Sequence, residues 1–319
     1  MIEGMIRAVE AAARATRFVQ SASCVDGLAK DDRSPVTVAD WASQAVVAIE
    51  LGATGPIVGE EDAGALRAPE AEPLRLRVVA AVSHALGRGV TTEEVLDAID
   101  AGRADPCGAY YTLDPVDGTK GFLRRQQYAI SLAFLQDGVV RAGVVGCPNL
   151  AEREGDYDTP DPTGCIAWAV HGGGAAFRSG QGPVRRLVIA PWQPGQPVRS
   201  CESVESGHSK HDLSAELLAA IGTPGQPARL DSQCKYVVVA RGGADAYMRL
   251  PVKADYREKI WDHAAGALVA AEAGAKVVDV DGRPLRFGES RELIHNRGVL
   301  AGHPVIVDRL VEAYAARVR

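Results

Sequence analysis

The chain has 319 residues, room for two modest domains or one large one with a sizeable core; its 46% hydrophobic and 24% charged residues match a soluble globular protein, and 34 glycines with 18 prolines are too few for a collagen-like or low-complexity chain. Lys and Arg number 35 against 41 Asp and Glu, and the resulting charge of −6 speaks against a sequence-independent nucleic-acid binder. Apolar stretches are broken by charge or glycine well short of the ~18 residues a membrane span needs, and Glu3 and Glu10 fall where a secretory signal would carry a compact apolar core.

Residues 1–20 place Ile2, Met5, Ile6, Val9, Ala12, Ala13 and Thr16 at helical spacing, with Arg7, Glu10, Arg14 and Arg17 opposite, which predicts an amphipathic helix. Ser34-Pro35 punctuates, and a second helix is expected from Thr37 to about Leu51. Asp40, three residues after Thr37, reads most simply as part of a helix cap. Pro56–Glu60 is a short apolar run ending in acid, and helices follow near 73–86 and 91–101. A β-rich section comes next, with strands at Ala109–Leu113 and Tyr128–Leu135, and Asp137-Gly138 as a hairpin turn into Val139–Val145. Cys165–Val170 and Ala175–Arg178, joined through Gly172-Gly173-Gly174, form a further hairpin.

The densest Pro/Gly punctuation, 191–197 (PWQPGQP), sets the expected domain boundary. Residues 1–190 then form an N-terminal α+β domain and 191–319 a smaller α/β domain, with a strand to Ser203, a helix at about 212–220, a strand near 245–250, a helix at 261–273 and a strand at 276–280. Cys24, Cys107, Cys147, Cys165, Cys201 and Cys234 are scattered and form no C-x-x-C, so they read as reduced thiols of a cytoplasmic protein.

The informative segment is Leu113–Thr119 (LDPVDGT), at the expected end of a strand. Pro115 and Gly118 favour a tight turn that aims Asp114, Asp117 and the Val116 carbonyl at one point. That is a hard, oxygen-only donor set suited to Mg²⁺; the competing reading is an Asx-type turn whose acids bond their own backbone. Gly59-Glu60-Glu61-Asp62 sets like charges side by side, which is costly unless they are solvated or neutralised by a cation. Asp262 precedes an Ala-rich helix. Each acid alone is most simply a capping or surface residue. Together Asp40, Glu60, Asp114, Asp117 and Asp262 could surround two or three Mg²⁺, and ions ~3.5–4 Å apart clamp the attacking and leaving oxygens of a phosphoryl group. There is no G-x-S-x-G and no Cys beside a basic cluster to serve as a nucleophile.

Val36–Asp40 (VTVAD), Pro56–Glu61 (PIVGEE), Leu113–Leu123 (LDPVDGTKGFL), Ser203–Ser209, Asp231–Tyr236 (DSQCKY) and Lys259–Gly266 (KIWDHAAG) span nearly the whole chain. In these motifs the sequence resembles the lithium-sensitive, Mg²⁺-dependent phosphatases of the inositol monophosphatase and fructose-1,6-bisphosphatase superfamily. Lys120–Arg124, in place of the Thr-Asn of typical inositol monophosphatases, makes it most similar to the 3′(2′),5′-bisphosphate nucleotidase branch.

The resemblance implies a mixed α and β, layered αβαβα sugar-phosphatase fold. It implies that Glu60, Asp114, Asp117, Asp262 and the Val116 carbonyl hold Mg²⁺, and that Asp40 and Thr119 orient and activate the attacking water without a covalent intermediate. His208, Ser232, Lys235 and Arg249, with Thr119, would surround the nucleotide and its non-reacting phosphate, where lysine and arginine give charge-assisted bonds. Read without the resemblance, Arg249 is a surface residue at a strand end, and His208 competes with His211. The implied reaction releases the 3′-phosphate of adenosine 3′,5′-bisphosphate to give AMP, with 3′-phosphoadenylyl sulfate as second substrate, lithium inhibition and a place in sulfur metabolism. The alternatives are an inositol (poly)phosphate phosphatase and a non-catalytic metal-dependent nucleotide sensor; the complete ligand set argues against the sensor. No nucleic acid, membrane or obligate protein partner is expected. Segments 66–75 and 151–164 depart most from the family pattern and touch no matched ligand.

Overall fold

The computed structural model describes residues 1–25, 34–153, 155, 157, 159–204, 211–253 and 256–318. Helix α1 (Ile2–Val25) buries Met5, Val9, Ala12 and Thr16, the stripe its spacing marks out. Helix α2 (Ser34–Leu51) starts three residues earlier than expected. Pro35 falls in its first turn, where a missing N–H removes no intrahelical bond. Asp40 therefore lies inside the helix and is buried, and the capping reading of this residue is wrong.

Strand β1 (Ile57–Gly59) is followed by α3 (Glu72–Leu86) and α4 (Thr92–Asp100), the latter capped by the Thr91 hydroxyl, which accepts the Glu94 N–H at 3.1 Å. Strand β2 (Ala109–Asp117) is longer than expected. It runs on through both acids of the LDPVD segment, with a bulge between Asp114 and Asp117 that admits Pro115. The short helix α5 (Thr119–Leu123) turns the chain into β3 (Ala129–Gln136) and β4 (Val139–Cys147). Asp137 and Gly138, at φ 51° and 76°, make the primed turn between these strands. β5 (Cys165–Val170), β6 (Gly174–Ser179) and β7 (Arg185–Leu187) complete a seven-stranded sheet in sequence order, antiparallel except for β1 against β2.

The second sheet and the helices around it are built in chain order from β8 (Ser200–Glu202), α6 (His211–Ile221), β9 (Ala228–Arg229), α7 (Cys234–Ala240), β10 (Ala246–Arg249), α8 (Ala264–Glu272), β11 (Lys276–Val278), β12 (Val299–Gly302) and α9 (Pro304–Val318). Its strands run β11-β12-β10-β8-β9. Helix α7 escapes sequence reading because every one of its residues is buried, so no polar face marks its period.

α1 and α2 cover the outer face of the first sheet, α7 and α8 fill the space between the sheets, and α6 and α9 close the second. Three apolar cores correspond: one under α1 and α2, one around α7 and α8, and one beneath α6 and α9. The five layers are the αβαβα order expected. The middle layer is thin: a Cβ on Gly143 of β4 would stand 3.0 Å from Ala265 Cα of α8. Among the described residues no helix is long and apolar enough to cross a membrane.

Candidate active site

Helix α2 carries three buried polar residues at i, i+3 and i+4: Asp40, Ser43 and Gln44. The Ser43 hydroxyl donates to the Pro115 carbonyl at 2.8 Å, pinning the bulge of β2. The Gln44 amide donates to the Glu61 carbonyl at 2.7 Å and to Ile99 at 2.8 Å, and its oxygen accepts the Glu61 N–H at 3.1 Å. One helix thus fixes both acidic segments relative to Asp40. From the other half of the chain, the Arg291 guanidinium donates to the carbonyls of Gly59 and Ala104 and lies 5.1 Å from the Trp261 ring centre. That ties the strand before Glu60 to the residue before Asp262. Gln233 completes the frame: its N–H donates to Asp117 Oδ2 at 2.6 Å, and its side chain bonds Trp261 O at 2.8 Å and Gly266 N at 2.9 Å.

The five predicted acids converge closely enough to perturb one another. Burial, then Glu61 and Glu60, push the Asp40 carboxyl well above the usual carboxylate range. Burial, then Glu60, Asp117, Asp262 and Asp40, do the same to Asp114. Asp117 is pushed up to about 6 by burial and by Asp262, against the pull of Lys235, the Gln233 N–H and Arg249. Glu60 is pushed up to about 8 by enclosure, then by Asp262, Glu61 and Asp117, with Lys259 opposing. Glu60 also reaches solvent at the rim, so water screens part of this, whereas Asp40 and Asp114 are buried.

Val116 lies in the bulge between Asp114 and Asp117 with its side chain buried. Thr119 is exposed at the first position of α5. Gly118 before it has φ 89°, and a Cβ there would stand 3.0 Å from Ser232 Cβ, so glycine lets the two loops meet. Ser232 is itself left-handed, at φ 69°. Lys235 is buried, its ammonium donating to the Leu230 carbonyl at 3.2 Å and lying 5.3 Å from the Tyr247 ring centre. Arg249 is not a surface residue: its side chain is 17% exposed, 2.7 Å from Glu258 and 3.7 Å from Asp262. His208 lies outside the described residues.

The acids fit a hard cation. Asp114 Oδ1 is buried with no hydrogen-bond partner, and the donors are all oxygens whose mutual repulsion a cation would relieve. Glu258, Asp262 and His263 also bring ligand atoms within 4.8 Å of one another. Two of these are already engaged within the protein, Glu258 by Arg249 and His263 by the Tyr236 hydroxyl at 2.8 Å. Sequence reasoning missed Ser43, Gln44, Gln233, Glu258 and Arg291. The first two interrupt an otherwise apolar helix face, a signal that could have found them; the others act through contacts between distant segments.

The inositol monophosphatase family profile matches residues 2–317. The chain belongs to the inositol monophosphatase family. Members of this family are metal-dependent phosphatases. The 3′(2′),5′-bisphosphate nucleotidase of Emericella nidulans strain FGSC A4 is 38% identical, covering 96% of this chain and 95% of the relative. That of Schizosaccharomyces pombe is 39% identical over 94% and 89%, and that of Oryza sativa 38% over 96% and 91%. Among solved structures, CysQ from Bacteroides thetaiotaomicron superposes with TM-score 0.61 at 21% identity, covering 95% of this chain and 98% of that one. Mycobacterium tuberculosis SuhB gives 0.60 at 23%, covering 98% and 95%. These two share the fold.

Proposed function

We propose that this protein is a 3′(2′),5′-bisphosphate nucleotidase that hydrolyses adenosine 3′,5′-bisphosphate to AMP and phosphate. The observation that carries the reading is the near full-length similarity, at 38–39% identity, to relatives of that name from two fungi and a plant. The site supports it: a cluster of acids stands beside two cationic side chains, Lys235 and Arg249, as a doubly phosphorylated substrate requires.

Glu60, Asp114, the Val116 carbonyl, Asp117 and Asp262 would hold two or three Mg²⁺. When bound, such ions supply Lewis-acid stabilisation of the phosphoryl oxygens and make water a better nucleophile near neutral pH. The chain's own residues do the rest. In its ionised form Asp40 accepts a proton of the attacking water through the Thr119 hydroxyl, burial making it a stronger base than a solvated carboxylate. The water oxygen bonds to phosphorus, the P–O3′ bond breaks, and its electron pair leaves on the ribose oxygen, which takes a proton from a second water, while Asp40 returns its own proton to solvent. Arg249, Lys235, Ser232 and His208 hold the remainder of the nucleotide. The same site would accept 3′-phosphoadenylyl sulfate, whose 3′-phosphate is identical.

A substrate panel with Mg²⁺, read by released phosphate, tests this. Adenosine 3′,5′-bisphosphate is expected to be the better substrate. Brisk release from inositol 1-phosphate with none from the bisphosphate would instead make the chain an inositol phosphate phosphatase. No release from either, with nucleotide still bound, would make it a sensor.

A further inference from the structure

Arg249, at the end of β10, stands between two carboxylates. Its Nη2 is 2.7 Å from Glu258 Oε2 and 3.7 Å from Asp262 Oδ2. Glu258 is 6% exposed and braced on a second side, with His263 Nε2 3.3 Å from the same oxygen. His263 is fully buried and is fixed in turn by the Tyr236 hydroxyl, 2.8 Å from its Nδ1. Asp262 is held more loosely: its side chain is 19% exposed, its ion pair with Arg249 spans 3.7 Å, and its carboxylate lies near enough to Asp114, Asp117 and Glu60 to repel them.

We infer that Glu258 is a positioning residue that keeps the Arg249 guanidinium off Asp262. This rests on the reading above, in which Asp262 holds a cation and Arg249 an anionic part of the substrate. Those two tasks conflict at 3.7 Å, because a guanidinium and a carboxylate so close in a half-buried site form a charge-assisted bond unless something competes. Glu258 competes. It is nearer, more deeply buried and rigidly held, so it takes the charge of Arg249 and leaves the oxygens of Asp262 to the acid cluster. Without it, Asp262 is the acid nearest the Arg249 guanidinium, and the guanidinium, left with the Tyr256 hydroxyl as its neutral partner, would close on Asp262. The Glu258–His263–Tyr236 chain thereby divides the site into a cation half and a substrate half.

The test is a double-variant cycle on metal-free protein, reading Mg²⁺ and Mn²⁺ affinity by isothermal titration calorimetry without substrate, and KM separately. Glu258→Gln is expected to weaken cation binding roughly tenfold or more, as loss of an outer partner of a metal ligand does. Glu258→Gln combined with Arg249→Met is expected to bring cation affinity back to near wild type, since nothing then competes for Asp262, while KM for adenosine 3′,5′-bisphosphate stays raised. A structural role for Glu258 would show no such recovery. The double variant removes both members of the buried pair, so it remains informative where the single variant folds poorly. A double variant as weak in cation binding as Glu258→Gln overturns the inference and makes Glu258 a ligand or a fold residue. Unchanged cation binding in Glu258→Gln also overturns it. The wild-type arm judges the underlying reading by itself, because wild-type protein that binds no divalent cation refutes both.

Discussion

The backbone N–H of Gln233 donates to Asp117 Oδ2 at 2.6 Å, while the side chain of the same residue grips Trp261 and Gly266 on either side of Asp262. One residue therefore sets the spacing between acids from two distant segments. Gln233→Ala keeps the first bond and removes the other two, leaving a buried carbonyl and a buried amide unpaired. A loss of about 2–4 kcal/mol in folding stability follows, by thermal or urea denaturation in EDTA. Divalent-cation affinity should fall roughly tenfold, because Asp262 loses its anchor. A variant with wild-type melting and wild-type cation binding would remove Gln233 from the frame.

The metal-free protein should become less stable as pH rises. Burial, then Asp262, raise Asp117 from 3.8 to about 6; enclosure, then Asp262, raise Glu60 from 4.5 to about 8. A carboxyl whose folded pKa lies above its unfolded value binds its proton more tightly when folded. Below the unfolded values both states are protonated and these groups contribute nothing. The penalty builds through the window from 3.8 to about 6 for Asp117 and from 4.5 to about 8 for Glu60, and is complete above it. Melting temperature in EDTA should fall across that range, and the gain from saturating Mg²⁺ should grow across it. A constant Mg²⁺ gain from acid to alkaline pH would show that these acids do not share a cation.

Asp117→Asn separates stability from chemistry. Holding Asp117 ionised costs the metal-free fold on the order of 3 kcal/mol, from its rise to about 6. The amide oxygen can still accept the Gln233 N–H, so the variant should melt higher than wild type in EDTA at pH 8. It should also lose most of its Mg²⁺-dependent stabilisation and at least a hundredfold in kcat. Phosphatase activity that survives unaltered would move the metal site elsewhere.

The most plainly readable part of the site was the part whose residues are neighbours in sequence, whereas Asp40, Glu60 and Asp262 each read alone as a capping or surface acid. Asp114, Val116 and Asp117 announce themselves because three oxygen donors fall within four residues, and the β-hairpin at Asp137-Gly138 because its turn chemistry is local. Pro115 misled: it reads as the end of a strand, yet the chain absorbs it in a bulge, and β2 carries its acids through to Asp117. Asp40 looked like a cap because Ser34-Pro35 looked like a break; with Pro35 inside the first turn the same residue moves to the buried face. Arg249 and Glu258 could not be read at all from spacing. Their meaning lies in distances across a loop, and a lone arginine at a strand end is ordinarily solvated.

Lithium should inhibit. A small monovalent ion can take an oxygen-lined divalent site but polarises a phosphoryl oxygen too weakly to replace the ion it displaces. Initial rates at saturating Mg²⁺ are expected to fall as Li⁺ is raised into the millimolar range (roughly the family expectation), and Na⁺ is the control for ionic strength. Equal responses to the two salts would reduce the effect to screening.

Thr119 stands exposed at the first position of α5, one residue after the left-handed Gly118 that lets its loop meet Ser232. Its side chain is exposed, so its hydroxyl is the part with a role to explain. Thr119→Ala should fold and melt as wild type, bind divalent cations normally, and lose roughly 10²–10⁴ in kcat, the range of a lost proton-transfer group. Thr119→Ser keeps the hydroxyl and should retain activity to within a few fold. The contrast matters more than either variant alone. Equal losses in the two would assign Thr119 to loop geometry, whereas loss in alanine with recovery in serine assigns it to the proton path that ends on Asp40.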